Sequence, residues 1–140
     1  MNFVLDSSIV MRWFFGDGDL SNRDYSFAVL DELERSRAIV PTIWSLEVAN
    51  VIARAEAKGL VLEARSAEFL EMLGGLEIIE DHVNGASVLS RVLDTARRYC
   101  LSAYDAAYLE VALRTGLSLA TLDVELKIAA QRAGVAILVP

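Results

Sequence analysis

The sequence predicts an α/β fold: a three-layer sandwich with a central, mainly parallel sheet of about five strands, in one domain spanning residues 1–140. Three observations predict it. Helical and strand-like stretches alternate along the whole chain. The strand candidates are short apolar runs rather than alternations of apolar and polar residues, as expected where both faces of a sheet are covered. No repeat, low-complexity segment or linker breaks the 140 residues, and that length lets one domain bury a core without staples.

The elements follow in order. Residues 2–5 read as a buried strand, followed by a helix from about Ser7 to Phe15 that breaks in Gly16-Asp17-Gly18-Asp19. Ser21 or Asn22 is expected to cap the next helix, running to about Arg37 with Phe27, Leu30 and Leu33 on one face. Ala38-Ile39-Val40 is a strand closed by Pro41, and Thr42 begins a long helix ending at Lys58-Gly59. A helix from Leu62 to Leu73, the strand Leu76-Glu77-Ile78-Ile79 and a helix from Gly85 to Arg98 come next. Tyr104 to Thr115 is a helix stopped by Gly116; strand 117–120, helix 124–133 and strand 135–139 complete the chain.

Composition narrows the function classes. Apolar residues make up 54% of the chain, which excludes disorder, and no uninterrupted apolar run is long enough for a membrane helix. Asp6 and Arg12 interrupt the apolar start, against a signal peptide, and the single cysteine, Cys100, fits a reducing cytoplasm. Cys100 reads as a small buried or half-buried side chain, since nothing in the sequence pairs it with a histidine for activation. The net charge is −7, from 13 basic and 20 acidic residues, which argues against a protein that passively coats nucleic acid. A phosphate substrate would need metal ions to offset its charge.

Four carboxylates stand out. Asp6 ends the first strand, in Asp6-Ser7-Ser8, and Asp123 ends a late one, in Thr121-Leu122-Asp123. Each alone reads as a helix N-cap, although Ser8 and Thr121 could cap instead and leave the acids for another role. On the helix from Tyr104, Asp105 falls within the apolar arc while Glu110 and Arg114 occupy the polar sector. Asp105 therefore needs a compensating partner: a cation, an arginine, a backbone N–H or a metal. Glu47 lies at the edge of the stripe formed by Trp44, Val48, Val51, Ile52 and Ala55. Element starts and strand ends gather at one edge of a parallel sandwich, so the four acids are expected together. Clustered carboxylates repel unless protonated or bound to cations, and hard oxygen donors suit Mg²⁺ or Mn²⁺.

Asp6-Ser7-Ser8, Glu47 in Leu46-Glu47-Val48-Ala49-Asn50, Asp105 in Ala103-Tyr104-Asp105-Ala106 and Asp123 in Ala120-Thr121-Leu122-Asp123 resemble the motifs of PIN-domain nucleases, all four in order. The compact length is similar to VapC-type toxins of bacterial and archaeal toxin–antitoxin pairs. The resemblance implies a divalent-metal-dependent endoribonuclease acting on RNA, a homodimer, and a cognate antitoxin that blocks the site. By position, the metal ligands fall on Asp6, Asp105 and Asp123, with Glu47 either ligating or orienting a water; Ser7 and Thr121 take the small hydroxyl positions.

Other features carry less. His82 reads as a surface turn residue, and Arg12, Arg97 and Arg98 as surface cations. Trp13, Phe14 and Phe15 cannot all face inward on one helix, so one is expected exposed; with Leu30 and Leu33 they could form a groove for an antitoxin segment. A haloacid-dehalogenase-like phosphatase would need a second Asp where Ser8 stands. A phospho-receiver domain would need a late lysine that neither Lys58 nor Lys127 supplies. An RNA-processing nuclease without an antitoxin and a non-catalytic PIN-fold scaffold both remain open readings.

Overall fold

A computed structural model describes residues 1–83 and 85–140. The described elements are β1 (Asn2–Leu5), α1 (Ser7–Phe15), α2 (Leu20–Glu32), β2 (Arg37–Val40), α3 (Ile43–Ala57) and α4 (Glu63–Gly74). After them come β3 (Ile78–Glu80), α5 (Gly85–Tyr99), α6 (Ala103–Thr115), β4 (Ser118–Ala120) and α7 (Val124–Arg132).

The strands form a four-stranded sheet in the order β3-β2-β1-β4, with every neighbouring pair parallel. Strand side chains alternate between two cores. Phe3, Leu5, Ala38 and Val40 join α1–α4 residues such as Ile9, Trp13, Val29, Val48 and Phe69 on one face. Val4 and Leu119 join Tyr108, Leu109, Leu126 and Ala130 from α6 and α7 on the other. The three layers follow from this division. The chain adds β2 and β3 on one side of β1 and then returns to place β4 on the other. The order reverses between β1 and β4, and in sheets of this kind the crevice outside the strand ends at that point is where ligands bind.

The fifth strand is present only as a single bridge between Leu119 and Ile137. Leu119 exchanges backbone hydrogen bonds with Ala136 and Leu138. The Leu138 carbonyl, which would carry the ladder onward, accepts instead from the Tyr25 hydroxyl at 2.9 Å. The α2 helix also differs from expectation. Asp19, not Ser21 or Asn22, caps it, accepting the Asn22 N–H at 2.8 Å. It stops at Glu32 rather than near Arg37, because Ser36 turns back to Glu32 and Arg37 already pairs with Asn2 in the sheet. Phe27 is exposed, and the buried face carries Ser26 and Val29. The strand expected at 76–79 lies one to two residues later, at Ile78–Glu80.

Of the three aromatics ending α1, Trp13 and Phe14 are buried and Phe15 is exposed. Trp13 donates to the Ser26 carbonyl, and Phe14 packs on Phe69, so the expected groove is core on those two rings. Gly116 ends α6 at φ +70° with its N–H on the Ala112 carbonyl, a conformation only glycine adopts freely. Cys100 is exposed rather than buried and sits at φ +54°, in the turn between α5 and α6. No helix among the described residues is long and apolar enough to cross a membrane.

Candidate active site

The ends of β1 and β4 are joined before any side chain is considered. Leu5 pairs with Ala120, and the Asp6 N–H extends the ladder to the Ala120 carbonyl at 3.0 Å. The residues that follow each strand are therefore neighbours. Thr121, fully buried, donates its hydroxyl to Asp6 Oδ2 at 2.7 Å, and Ser8 Oγ donates to the same oxygen at 2.6 Å. Each hydroxyl in turn accepts a backbone N–H, Thr121 from Asp123 at 3.0 Å and Ser8 from Leu122 at 3.1 Å. A hydroxyl has one hydrogen, and the backbone contacts leave that hydrogen for Asp6. Asp6 itself is 4% exposed and stands at the head of α1 without making a side-chain cap. Burial raises its pKa, the Ser8 and Thr121 hydrogen bonds oppose the rise, and Asp123 adds to it.

Asp123 does cap its helix: Oδ1 accepts the Leu126 N–H at 2.9 Å. Ser8 and Thr121 do not relieve it of that role; they serve Asp6 instead. Glu47, in the first turns of α3, is held from the opposite helix. The Tyr108 hydroxyl donates to Glu47 Oε1 at 2.5 Å, and Ser7 Oγ reaches the same oxygen at 3.4 Å. Burial raises the Glu47 pKa, the Tyr108 hydrogen bond lowers it, and Asp6 raises it. Burial and Glu47 push the Tyr108 hydroxyl far upward, so it stays a donor at neutral pH. Asp105 is partly buried in the first turn of α6. The cap there is Ser102, which accepts the Asp105 N–H at 3.2 Å. The Asp105 carboxyl is pushed up to about 6, first by burial and then by Asp123, Asp6, Glu47 and Glu125.

All four expected acids therefore act on one another with the same sign. Ser7 and Thr121 fall beside them, but Ser7 serves Glu47 rather than Asp6. Two partners were not singled out from the sequence as site residues. Ser8 reads locally as a cap, and Tyr108 falls in the apolar arc of its helix. The signal for Tyr108 was its place three residues after Asp105, on the same side of α6. Glu125, in the first turn of α7, adds a fourth negative charge to the field on Asp105.

Among the described residues, no group of three or more His, Cys, Asp or Glu side chains is already set to hold a metal ion. The carboxylates share an electrostatic field rather than a finished coordination sphere. The donor chemistry nonetheless fits a hard divalent cation: the acids offer only oxygen, and Asp6, Glu47 and Asp105 are made costlier to ionise by burial and by their neighbours. A bound cation reverses those penalties.

Elsewhere, one of the two residues of the α6 polar sector, Glu110, proves buried, while Arg114 is exposed. Glu110 is 4% exposed, and its Oε1 accepts from Arg91 Nε at 2.9 Å and Arg114 Nε at 2.7 Å. A pocket lined by Ile43, Val88, Val92 and Glu110 lies under α5 and includes none of the four acids. His82 is exposed. Arg97 and Arg98 are also exposed, in keeping with the surface reading.

The sequence profile of the PIN domain matches residues 3–131, and the chain belongs to that family. Similar solved structures include the VapBC2 complex of Rickettsia felis bound to a promoter DNA fragment, at 17% identity and a TM-score of 0.68, covering 99% of this chain and 98% of that one. FitAcB of Neisseria gonorrhoeae is similar at 19% identity and a TM-score of 0.63, covering 100% and 98%. A protein of Pyrobaculum aerophilum is similar at 24% identity and a TM-score of 0.66, covering 92% and 79%. No curated protein matches significantly.

Proposed function

We propose that this protein is a divalent-metal-dependent endoribonuclease that acts in the cytoplasm as the toxin of a toxin–antitoxin pair. The observation that carries this reading is the convergence on Asp105: Asp123, Asp6 and Glu47 all raise its carboxyl, at the edge where the strand order reverses. Membership of the PIN domain family supports nuclease chemistry. Similarity to the solved structures of VapBC2 and of a toxin–antitoxin complex from Klebsiella pneumoniae supports an antitoxin partner.

In this reading Asp6, Asp105 and Asp123 supply oxygen ligands for Mg²⁺ or Mn²⁺, and Glu47 either joins them or orients a water. When bound, the cation supplies Lewis-acid polarisation of a phosphoryl oxygen and a water acidic enough to act as a nucleophile near neutral pH. The chain's own residues do the positioning. Ser8 and Thr121 fix Asp6 Oδ2 and favour its ionised form. Asp123 is fixed through Oδ1 by its cap to Leu126. The cation would supply local positive charge for a negative substrate on a chain whose net charge is −7. A homodimer is part of the proposal, checked by sedimentation.

The test is cleavage of total RNA with Mg²⁺ or Mn²⁺ by the wild type, Asp6→Asn and Asp123→Asn. Cleavage is expected to require the metal and to disappear in both variants. Undiminished cleavage by a variant that folds normally would sink the assignment. Where a small protein is encoded beside the gene, its co-expression is expected to suppress cleavage. An RNA-cleaving protein with no such suppressor would leave the nuclease without its antitoxin.

A further inference from the structure

Glu47 differs from the other three acids in what holds it. Tyr108 comes from the opposite layer of the sandwich, is fully buried, and spends its hydroxyl on Glu47 Oε1. Ser7 addresses the same oxygen, and among the described residues no hydrogen bond is made to Oε2. We infer that Tyr108 is a positioning residue of the site, fixing the Glu47 carboxylate through Oε1 so that Oε2 is presented to a divalent cation or its water. This inference rests on the metal-dependent reading above.

The arrangement at Asp6 supports it. There too, two side-chain hydroxyls converge on one carboxylate oxygen, from Ser8 and Thr121. The device thus occurs twice, once at a strand end with short side chains and once across the core with a long one. Glu47 lies on α3, and reaching it from α6 requires a side chain with an apolar body and a polar tip. Tyrosine meets both needs, since its ring belongs to the core cluster that includes Val4 and Leu119 while its hydroxyl reaches Glu47. The same helix carries Asp105 three residues earlier, so any shift of α6 moves one acid together with the group that orients another. Partners of this kind, one step from a ligand, typically change metal affinity about 10- to 100-fold when removed.

The experiment compares the wild type, Tyr108→Phe, Glu47→Gln and the double variant. Mn²⁺ binding is measured by calorimetry on RNA-free protein, beside RNA cleavage and thermal unfolding. Tyr108→Phe keeps the ring and is expected to fold, with Mn²⁺ binding weakened about tenfold. The double variant is expected to bind Mn²⁺ no more weakly than Glu47→Gln alone, because the hydroxyl acts through that carboxylate. Wild-type Mn²⁺ affinity in Tyr108→Phe, independent losses in the double variant, or a Tyr108→Phe chain that fails to fold would each overturn the positioning role. If the wild type binds and cleaves while Tyr108→Phe is unchanged, only this inference falls. If the wild type neither binds Mn²⁺ nor cuts RNA, the proposed function falls with it.

Discussion

Asp6 and Thr121 stand 115 positions apart in sequence, yet the Thr121 hydroxyl donates to Asp6 Oδ2 at 2.7 Å in a fully buried setting. That contact stabilises a carboxylate which burial alone would disfavour. Thr121→Val keeps the shape and deletes the donor. It is expected to cost about 1–3 kcal/mol, the usual penalty for leaving a buried polar partner unsatisfied. Urea denaturation without metal checks this.

Asp123 serves two ends that substitution can separate. Its Oδ1 caps α7, and its carboxylate belongs to the proposed ligand set. Asparagine caps helices about as well as aspartate, so Asp123→Asn is expected to keep its stability and lose RNA cleavage. Asp123→Ala is expected to lose cleavage and also about 1 kcal/mol of stability. Equal unfolding midpoints for the two variants would deny the cap.

The Asp105 carboxyl gives the metal-free protein a predictable pH dependence. Its folded value is about 6 against an ordinary 3.8, so the folded state holds the proton more tightly than the unfolded state. Below 3.8 both states are protonated and the group contributes nothing adverse; as pH rises through the window to about 6, its contribution becomes destabilising and then stays constant. Asp105→Asn is therefore expected to flatten the stability profile in that window and to exceed the wild type in stability at pH 7. Thermal unfolding across the range tests the sign, and added Mn²⁺ is expected to erase the advantage of the variant.

Glu110 tests a different kind of charge. Its carboxylate is enclosed, while Arg91 and Arg114 remain 40% and 27% exposed at their side chains. Removing the acid leaves two arginines that can turn to water, so Glu110→Ala is expected to cost about 1–3 kcal/mol, less than the 3–5 typical of a fully enclosed broken pair. Because the acceptor is buried, the loss is expected to persist in high salt, measured as the denaturation midpoint of the variant against the wild type.

The acids themselves were legible because their neighbours in sequence announced them. A strand that ends in Asp and turns into a helix is visible in residues 3–8 and again in 118–124. Asp105 was visible because it breaks an apolar arc. Their partners were not. Ser8 and Thr121 looked like caps because a hydroxyl beside a helix start has the same local signature whichever oxygen it serves. Tyr108 disappeared into the apolar face because periodicity counts its ring and ignores its hydroxyl. Glu110 falls in the polar sector because a helical wheel shows one helix, and α5, which brings Arg91 over it, is absent from that projection. The fifth strand shrank to a bridge for a similar reason: Tyr25, far away in sequence, takes the carbonyl that the ladder needed.

The pairing of Leu5 with Ala120 has a consequence for how the molecule comes into being. Asp6, Glu47 and Asp105 all emerge before the turn at Thr121. Until β4 docks beside β1, Asp6 lacks the Thr121 hydroxyl and Asp123 is not beside it. A nascent or truncated chain that stops short of Ala120 holds three of the four acids and lacks both Thr121 and Asp123. The edge is complete only when the last strand of the sheet is in place, so its completion is timed by topology.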